Sequence, residues 1–181
     1  MPAYTFTAVA VLALIAIGII VLLLRGRSDL SALQAEFPGT TSDDIRRAIV
    51  ELLETTAPGD RGGFVIFGGD RDLDYVQYSL EPNGLLLNWP TIQEGGRERL
   101  SAFRRTLESR GFRGLLMHPD SAVSDEIANM QTGHFIVVED GLYAQVGRDP
   151  VVVRDLTLEL LQSAFGIDDV RRVHVTLELQ G

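Results

Sequence analysis

The stretch that decides the fold is DLDYVQYSLEPNGLLLNWP, Asp72 to Pro90. Two runs rich in Tyr, Val, Leu and Trp flank Glu-Pro-Asn-Gly, the pattern of two strands around a tight turn. Asn83-Gly84 is a favoured type I′ pair, and a turn centred there sets Tyr78 opposite Trp89 and Leu80 opposite Leu87. Moving the turn to Pro82-Asn83 changes the pairs but keeps the faces. Only an odd-length loop would exchange them. One face then carries Val76, Tyr78, Leu80, Leu85, Leu87 and Trp89 and is uniformly apolar. The other carries Tyr75, Gln77, Ser79, Leu86 and Asn88 and is mixed. The apolar face belongs beneath helices, and the mixed face is either wet or a docking surface.

The flanking sequence supplies those helices. In TSDDIRRAIVELLETTA, Ile45, Ala48, Ile49, Leu52 and Leu53 form one helical stripe, with Ser42 as the expected cap and Asp43 and Asp44 at the positive end of the dipole. GFVIFGG, residues 63–69, is a short apolar strand between glycines. GRERLSAFRRTLESRGF follows the hairpin as a helix, with Leu100, Phe103 and Leu107 on one side and Gly111 as its stop. In DPVVVRDLTLELLQSAFG, Asp149 is the N-cap, Pro150 takes the first helical position and Gly166 ends the helix. VRRVHVTLEL adds a closing strand in which Val170, Val173, Val175 and Leu177 alternate approximately.

HFIVVEDGLYAQV, residues 134–146, is a second hairpin around Asp140-Gly141. It places Phe135, Val137, Leu142, Ala144 and Val146 on one side, and Ile136, Val138, Tyr143 and Gln145 on the other. Both sides are too apolar for simple exposure, so something should cover the second: a subunit, a peptide or residues 113–133. Within that last segment GLLMH reads as a short strand and SDEIANM as a capped turn or two of helix. The resulting order, α-βββ-α-ββ-α with a strand at the end, predicts an α+β domain: an antiparallel sheet with helices on one face.

Phe6 to Leu24 is a different kind of sequence. It is uncharged, interrupted only by Thr7 and Gly18, and long enough to cross a hydrocarbon core as a helix. Residues 1–5 carry no basic side chain and LLLRGR offers no small-x-small cleavage site, which argues against a signal peptide. Arg25 and Arg27 follow the run and nothing basic precedes it, so the positive-inside rule places the N-terminus outside and the C-terminal part in the cytoplasm. The expected organisation is a transmembrane helix with its basic flank (1–27), a linker (28–41) and a soluble domain (42–181).

The charge balance narrows the partners. All sixteen basic residues are Arg; setting aside Arg25 and Arg27 leaves fourteen against twenty-five Asp and Glu, a net charge of −11. No basic cluster goes beyond pairs such as Arg104-Arg105 and Arg171-Arg172, so nucleic acid lacks its positive footprint. An acidic domain is also repelled by anionic lipid. The absence of Cys excludes thiolate catalysis and disulfides.

Catalytic and metal patterns fail on specific residues. Asp70, Asp72, Asp74 and Glu81 fit positions 1, 3, 5 and 12 of a calcium loop, but the obligatory glycine is Tyr75. GDRGGFVIFGGD lacks the G-K-[ST] ending of a phosphate loop. His118, His134 and His174 are far apart, and no serine sits in G-x-S-x-G. The residues point to no cofactor, no metal and no catalytic set.

YVQYSL followed by an acidic residue, then RLSAFRRTLESRGF, then LTLELLQSAFGI, resembles the bacterial TY-Chap family of chaperone-like domains, over about residues 42–167. The element order likewise resembles the YbjN group and the type III secretion chaperones. The resemblance implies a non-enzymatic domain that binds peptide segments or protein partners, with a homodimer as one arrangement. It implies that Tyr75 and Gln77 lie where a partner adds to the sheet. The membrane anchor departs from a soluble secretion chaperone. The combined expectation is a single-pass membrane protein whose cytoplasmic domain binds protein or peptide through Tyr75, Gln77, Ser79, Leu86, Asn88, Ile136, Val138, Tyr143 and Gln145. The alternatives are a structural subunit of a membrane complex held through its helix, and an enzyme or small-ligand sensor.

Overall fold

The computed structural model describes residues 35–36, 40–55, 63–71, 73–90, 96–117, 122–139 and 141–179. The expected membrane helix at 6–24 lies outside these residues. Among the described residues no helix is long and apolar enough to cross a membrane.

In chain order the elements are β1 (Ala35–Glu36), α1 (Ser42–Thr55), β2 (Phe64–Gly68), β3 (Tyr75–Glu81), β4 (Gly84–Pro90), α2 (Gly96–Ser109), β5 (Arg113–Gly114), α3 (Val123–Asn129), β6 (His134–Val137), β7 (Gly141–Gly147), α4 (Pro150–Phe165), a 3₁₀ turn (Val170–Arg172) and β8 (His174–Glu178). The described strands form one sheet in the order β1-β8-β2-β3-β4-β7-β6-β5. The class is α+β. The sheet is mixed rather than purely antiparallel, because β5 runs parallel to β6 while the other pairs are antiparallel. The folded unit begins at Ala35, within the expected linker, because β1 pairs with β8.

The first hairpin turns at Pro82-Asn83, one residue earlier than the type I′ placement. Tyr78 therefore lies opposite Leu87, Leu80 opposite Leu85 and Gln77 opposite Asn88. Pro82 cannot adopt the positive φ that a type I′ turn needs, and no non-glycine residue here has positive φ. Gly84 takes that burden instead, at φ 122, where a Cβ would come within 2.9 Å of the Gly147 backbone. The loop is still two residues long, so the faces keep their expected sides.

Val76, Tyr78, Leu80, Leu85, Leu87 and Trp89 are all buried in the main core, together with Val65 and Phe67 of β2 and Val175 and Leu177 of β8. Three helices cover this face. α1 contributes Ile45, Ala48, Ile49 and Leu52; α2 contributes Phe103 and Leu107; α4 contributes Val153, Leu156, Leu160 and Leu161. Trp89 stacks on Phe103 at 4.6 Å and 19°, and Phe103 meets Phe165 edge-on at 5.9 Å. Trp89 and Tyr78 thus share one core, though not as cross-strand partners.

Local chemistry sets the helix ends. The α1 cap is Thr41 rather than Ser42: Thr41 Oγ1 accepts from the Asp44 N–H at 3.2 Å, and Asp44 accepts from the Thr41 N–H at 2.9 Å. Reciprocal capping needs an acceptor three residues on, and Asp44 stands at that spacing from Thr41. Asp149 caps α4 by accepting from the Val151 and Val152 N–H groups, and Gly166 closes it in the left-handed conformation.

Tyr78 is fully buried against α4. Its oxygen lies 3.0 Å from Thr157 Oγ1, which is also 2.7 Å from the Val153 carbonyl. Thr157 has one hydroxyl proton and the carbonyl can only accept, so Thr157 donates to Val153 and Tyr78 donates to Thr157. Burial raises the Tyr78 pKa, which keeps that proton in place. Thr157→Val should strand the phenol donor and cost about 1–3 kcal/mol. Adding Tyr78→Phe should recover part of the loss. Urea unfolding of the two single variants and the double variant measures this, and strictly additive losses would contradict the assignment.

Candidate partner-binding face

Cross-strand register arranges the far face of the sheet into rows. One row runs Thr176-Ile66-Gln77-Asn88-Tyr143-Ile136 from β8 to β6. The next runs Glu178-Phe64-Ser79-Leu86-Gln145-His134. A shorter row holds His174, Gly68 and Tyr75. Eight of the nine residues expected from sequence fall in these rows. Val138 lies just beyond, its N–H donating to the Gly141 carbonyl at 2.8 Å.

The rows divide into an open part and a covered part. Tyr75, Gln77, Ser79, Asn88 and Tyr143 are half-buried, as are Phe64, Ile66 and Thr176. Leu86 and Ile136 are buried with Met130 in a second, smaller apolar cluster, which Ile127, Val138 and Tyr143 flank. Gln145 is also buried, at 1% exposure. The cover of Leu86 and Ile136 is therefore α3 with Met130, which belong to the 113–133 segment, one of the three occupants expected. α3 lies on the opposite face from α1, α2 and α4, so the expectation of helices on one face holds only for those three. Leu86, Ile136 and Gln145 are inaccessible to a partner in this conformation.

The second hairpin keeps its expected sides, with Phe135, Leu142, Ala144 and Val146 in the main core. Val137 shares that side by register but is 36% exposed near the β5 end of the sheet. α3 has no side-chain cap; the N–H groups of Asp125 and Glu126 both donate to the Ala122 carbonyl. The capped turn expected at SDEIANM is thus a seven-residue helix starting at Val123 without that cap.

Sequence reading missed Phe64, Ile66 and Thr176. Phe64 and Ile66 come from β2, whose alternate burial puts Val65 and Phe67 in the core and the residues between them on the far face. That signal was present in the parity of GFVIFGG. Thr176 depends on β8 inserting between β1 and β2, a non-local pairing with no local mark in the sequence.

Charged residues frame the face rather than occupy its centre. Asp74, 3% exposed, forms ion pairs with Arg71 at 2.5 Å and Arg99 at 2.8 Å. The Arg99 contact is one of charge rather than an aligned hydrogen bond. Arg99 also lies over the Phe165 ring, 5.1 Å from its centroid, and donates to the Leu73 carbonyl. This ties the β2–β3 connection to α2 and α4. Asp70 accepts from Arg172 at 2.6 Å with His174 at 3.7 Å, and the Arg172 hydrogen bond lowers its pKa. Asp169 accepts from the Arg171 side chain and backbone, which pull its pKa down to about 2.

A pocket of about 510 Å³ lies against α4 and is lined by Ser42, Arg110, Glu159, Gln162 and Asp168 among apolar neighbours. Arg110 there is committed to Glu159 at 2.6 Å and to the Asp155 carbonyl. Among the described residues no three His, Asp or Glu side chains are grouped to hold a metal. Asp70 and Asp74, two acids of the calcium-loop pattern, are instead bound to arginines.

No family model, no curated protein and no solved structure matches the chain.

The acidic pairs generate a pH prediction. Asp169 has a folded pKa below its unfolded value, so its contribution is present above about pH 4 and is lost as pH falls toward 2. The urea midpoint of the native chain should exceed that of Asp169→Asn at pH 5, and the gap should close by about pH 2. A gap that widens on acidification would contradict the sign.

Proposed function

We propose that the chain is a single-pass membrane protein, anchored through residues 6–24, whose cytoplasmic chaperone-like domain binds a protein or peptide partner and performs no catalysis. The observation that carries this reading is the open half of the far face. There Phe64, Ile66 and Tyr75 lie half-buried among Gln77, Ser79, Asn88 and Thr176, away from the helices that cover the main core. A sheet that faces only water normally carries polar side chains at those alternate positions. Apolar rings and aliphatic groups interleaved with neutral hydrogen-bonding groups suit a protein surface better than water or nucleic acid. The partner docks on the rows of the sheet, with Gln77 in the long row and Tyr75 in the short row beside it.

The test is in-membrane crosslinking of the full chain, with the captured protein identified and then followed in variants. Gln77→Arg and Ile66→Arg place bulk and charge on the open face and should remove the crosslinked partner by about tenfold or more. The fold should persist, since both side chains are outside the main core. Retention of every partner by both variants would defeat face recognition. If the partner is lost only when residues 6–24 are replaced by an unrelated spanning helix, the structural-subunit reading holds instead.

A further inference from the structure

We propose that residues 122–130, α3 with the Met130 that follows it, form a cover that opens as a local unit and exposes Leu86, Ile136 and Gln145 while the main core stays folded. Four observations support it. The cover is held by a small apolar cluster of its own: Leu86, Ile136 and Met130 pack together apart from the main core, and no residue within α3 is buried. α3 is seven residues long and has no side-chain cap, too short to persist without its packing. A tether to the rest of the domain is the exposed hydrogen bond from Asn83 Nδ2 at the hairpin tip to the Ala128 carbonyl, 3.1 Å. Finally, Gln145 Nε2 is buried without an acceptor. In the closed state that donor has no protein acceptor, and opening gives water or a ligand free access to it.

The closed state therefore combines few contacts with one unsatisfied donor. Contact-poor segments of this kind open at much lower free energy than the core. Opening exposes two apolar side chains and a buried amide donor, Ile136 on the row of Gln77 and Asn88, and Leu86 and Gln145 on the row of Ser79. The occupant this fits is a peptide segment with one or two apolar side chains in the places of Ile127 and Met130, and a carbonyl for Gln145 Nε2. That occupant rests on the binding reading above; the opening itself does not.

The chain has no cysteine, so single thiols report cleanly. In the full chain, Ile136→Cys and Leu86→Cys lie under the cover, and Ala144→Cys lies on the opposite, main-core side of the sheet. Thiol labelling is followed against urea, with each variant's global unfolding measured alongside. Once corrected for global stability, the two covered thiols should react at least about tenfold faster than Ala144→Cys and depend less steeply on urea. Adding Asn83→Ala should speed Ile136→Cys several-fold further and leave Ala144→Cys unchanged. Equal rates and equal urea slopes at all three positions would overturn the cover, because exposure would then require global unfolding. Fast labelling in a chain whose partners ignore Gln77→Arg and Ile66→Arg would uphold the cover and defeat the binding reading.

Discussion

Inside and outside for the central strands are fixed by side-chain parity in the β3–β4 hairpin. A strand's side chains alternate, and each strand passes its alternation to the next through register. β2 takes its register from β3, β8 from β2 and β7 from β4. A one-residue slip at Pro82-Asn83 would move Val76, Tyr78 and Leu80 out from under the helices. The two-residue loop prevents this: Pro82 suits its first position, and Gly84 absorbs the positive φ. The core then locks the choice. Trp89 stacks on Phe103, Phe103 meets Phe165, and Tyr78 donates to Thr157 of the helix above.

Much of this was legible because it is local. The α1 stripe, the Asp149 cap, the Gly166 stop and the two-faced hairpin each depend on residues within about four positions of one another. The misplacements were also local and small. Two turn signals overlap in Glu-Pro-Asn-Gly, and the proline overrides the Asn-Gly preference. Thr41 displaced Ser42 because Asp44 answers it at the capping-box spacing. What could not be read was non-local. β1 and β5 are two residues each, too short for any alternation, and exist only through their partners β8 and β6. The insertion of β8 between β1 and β2 follows from the chain's return, not from VRRVHVTLEL itself.

The candidate face was half legible for the same reason. Parity placed Tyr75, Gln77, Ser79 and Asn88 correctly on the far side. It also put Leu86, Ile136 and Gln145 there, but parity does not say what lies on top. The burial of Leu86 and Ile136 involves Ile127 and Met130, two residues at an i, i+3 spacing in a segment with no strong helical stripe. Such a segment has no local cue for which face it will choose. The apolar surplus in the second hairpin was the only hint that something must cover it.

The cover and the open rows share one physical logic. The open rows are neutral along their middle, with Glu178 and His174 at the β8 margin, while the domain carries a strong acidic excess. A partner approaching this face gains little from long-range steering, because steering needs complementary charge. In the proposed complex its affinity would come from short-range fit: apolar contact at Phe64, Ile66 and Tyr75, and hydrogen bonds at Gln77 and Asn88. Contacts of that kind are formed one side chain at a time and are weak when few. In the proposed arrangement the anchor at 6–24 offsets the lack of steering by holding the domain beside membrane-bound partners, at high effective concentration. The proposed cover would add specificity to this arrangement. It would release Leu86, Ile136 and the Gln145 amide only to a ligand whose own apolar groups and carbonyl replace what α3 supplies, so only a matching segment would recover the free energy of opening.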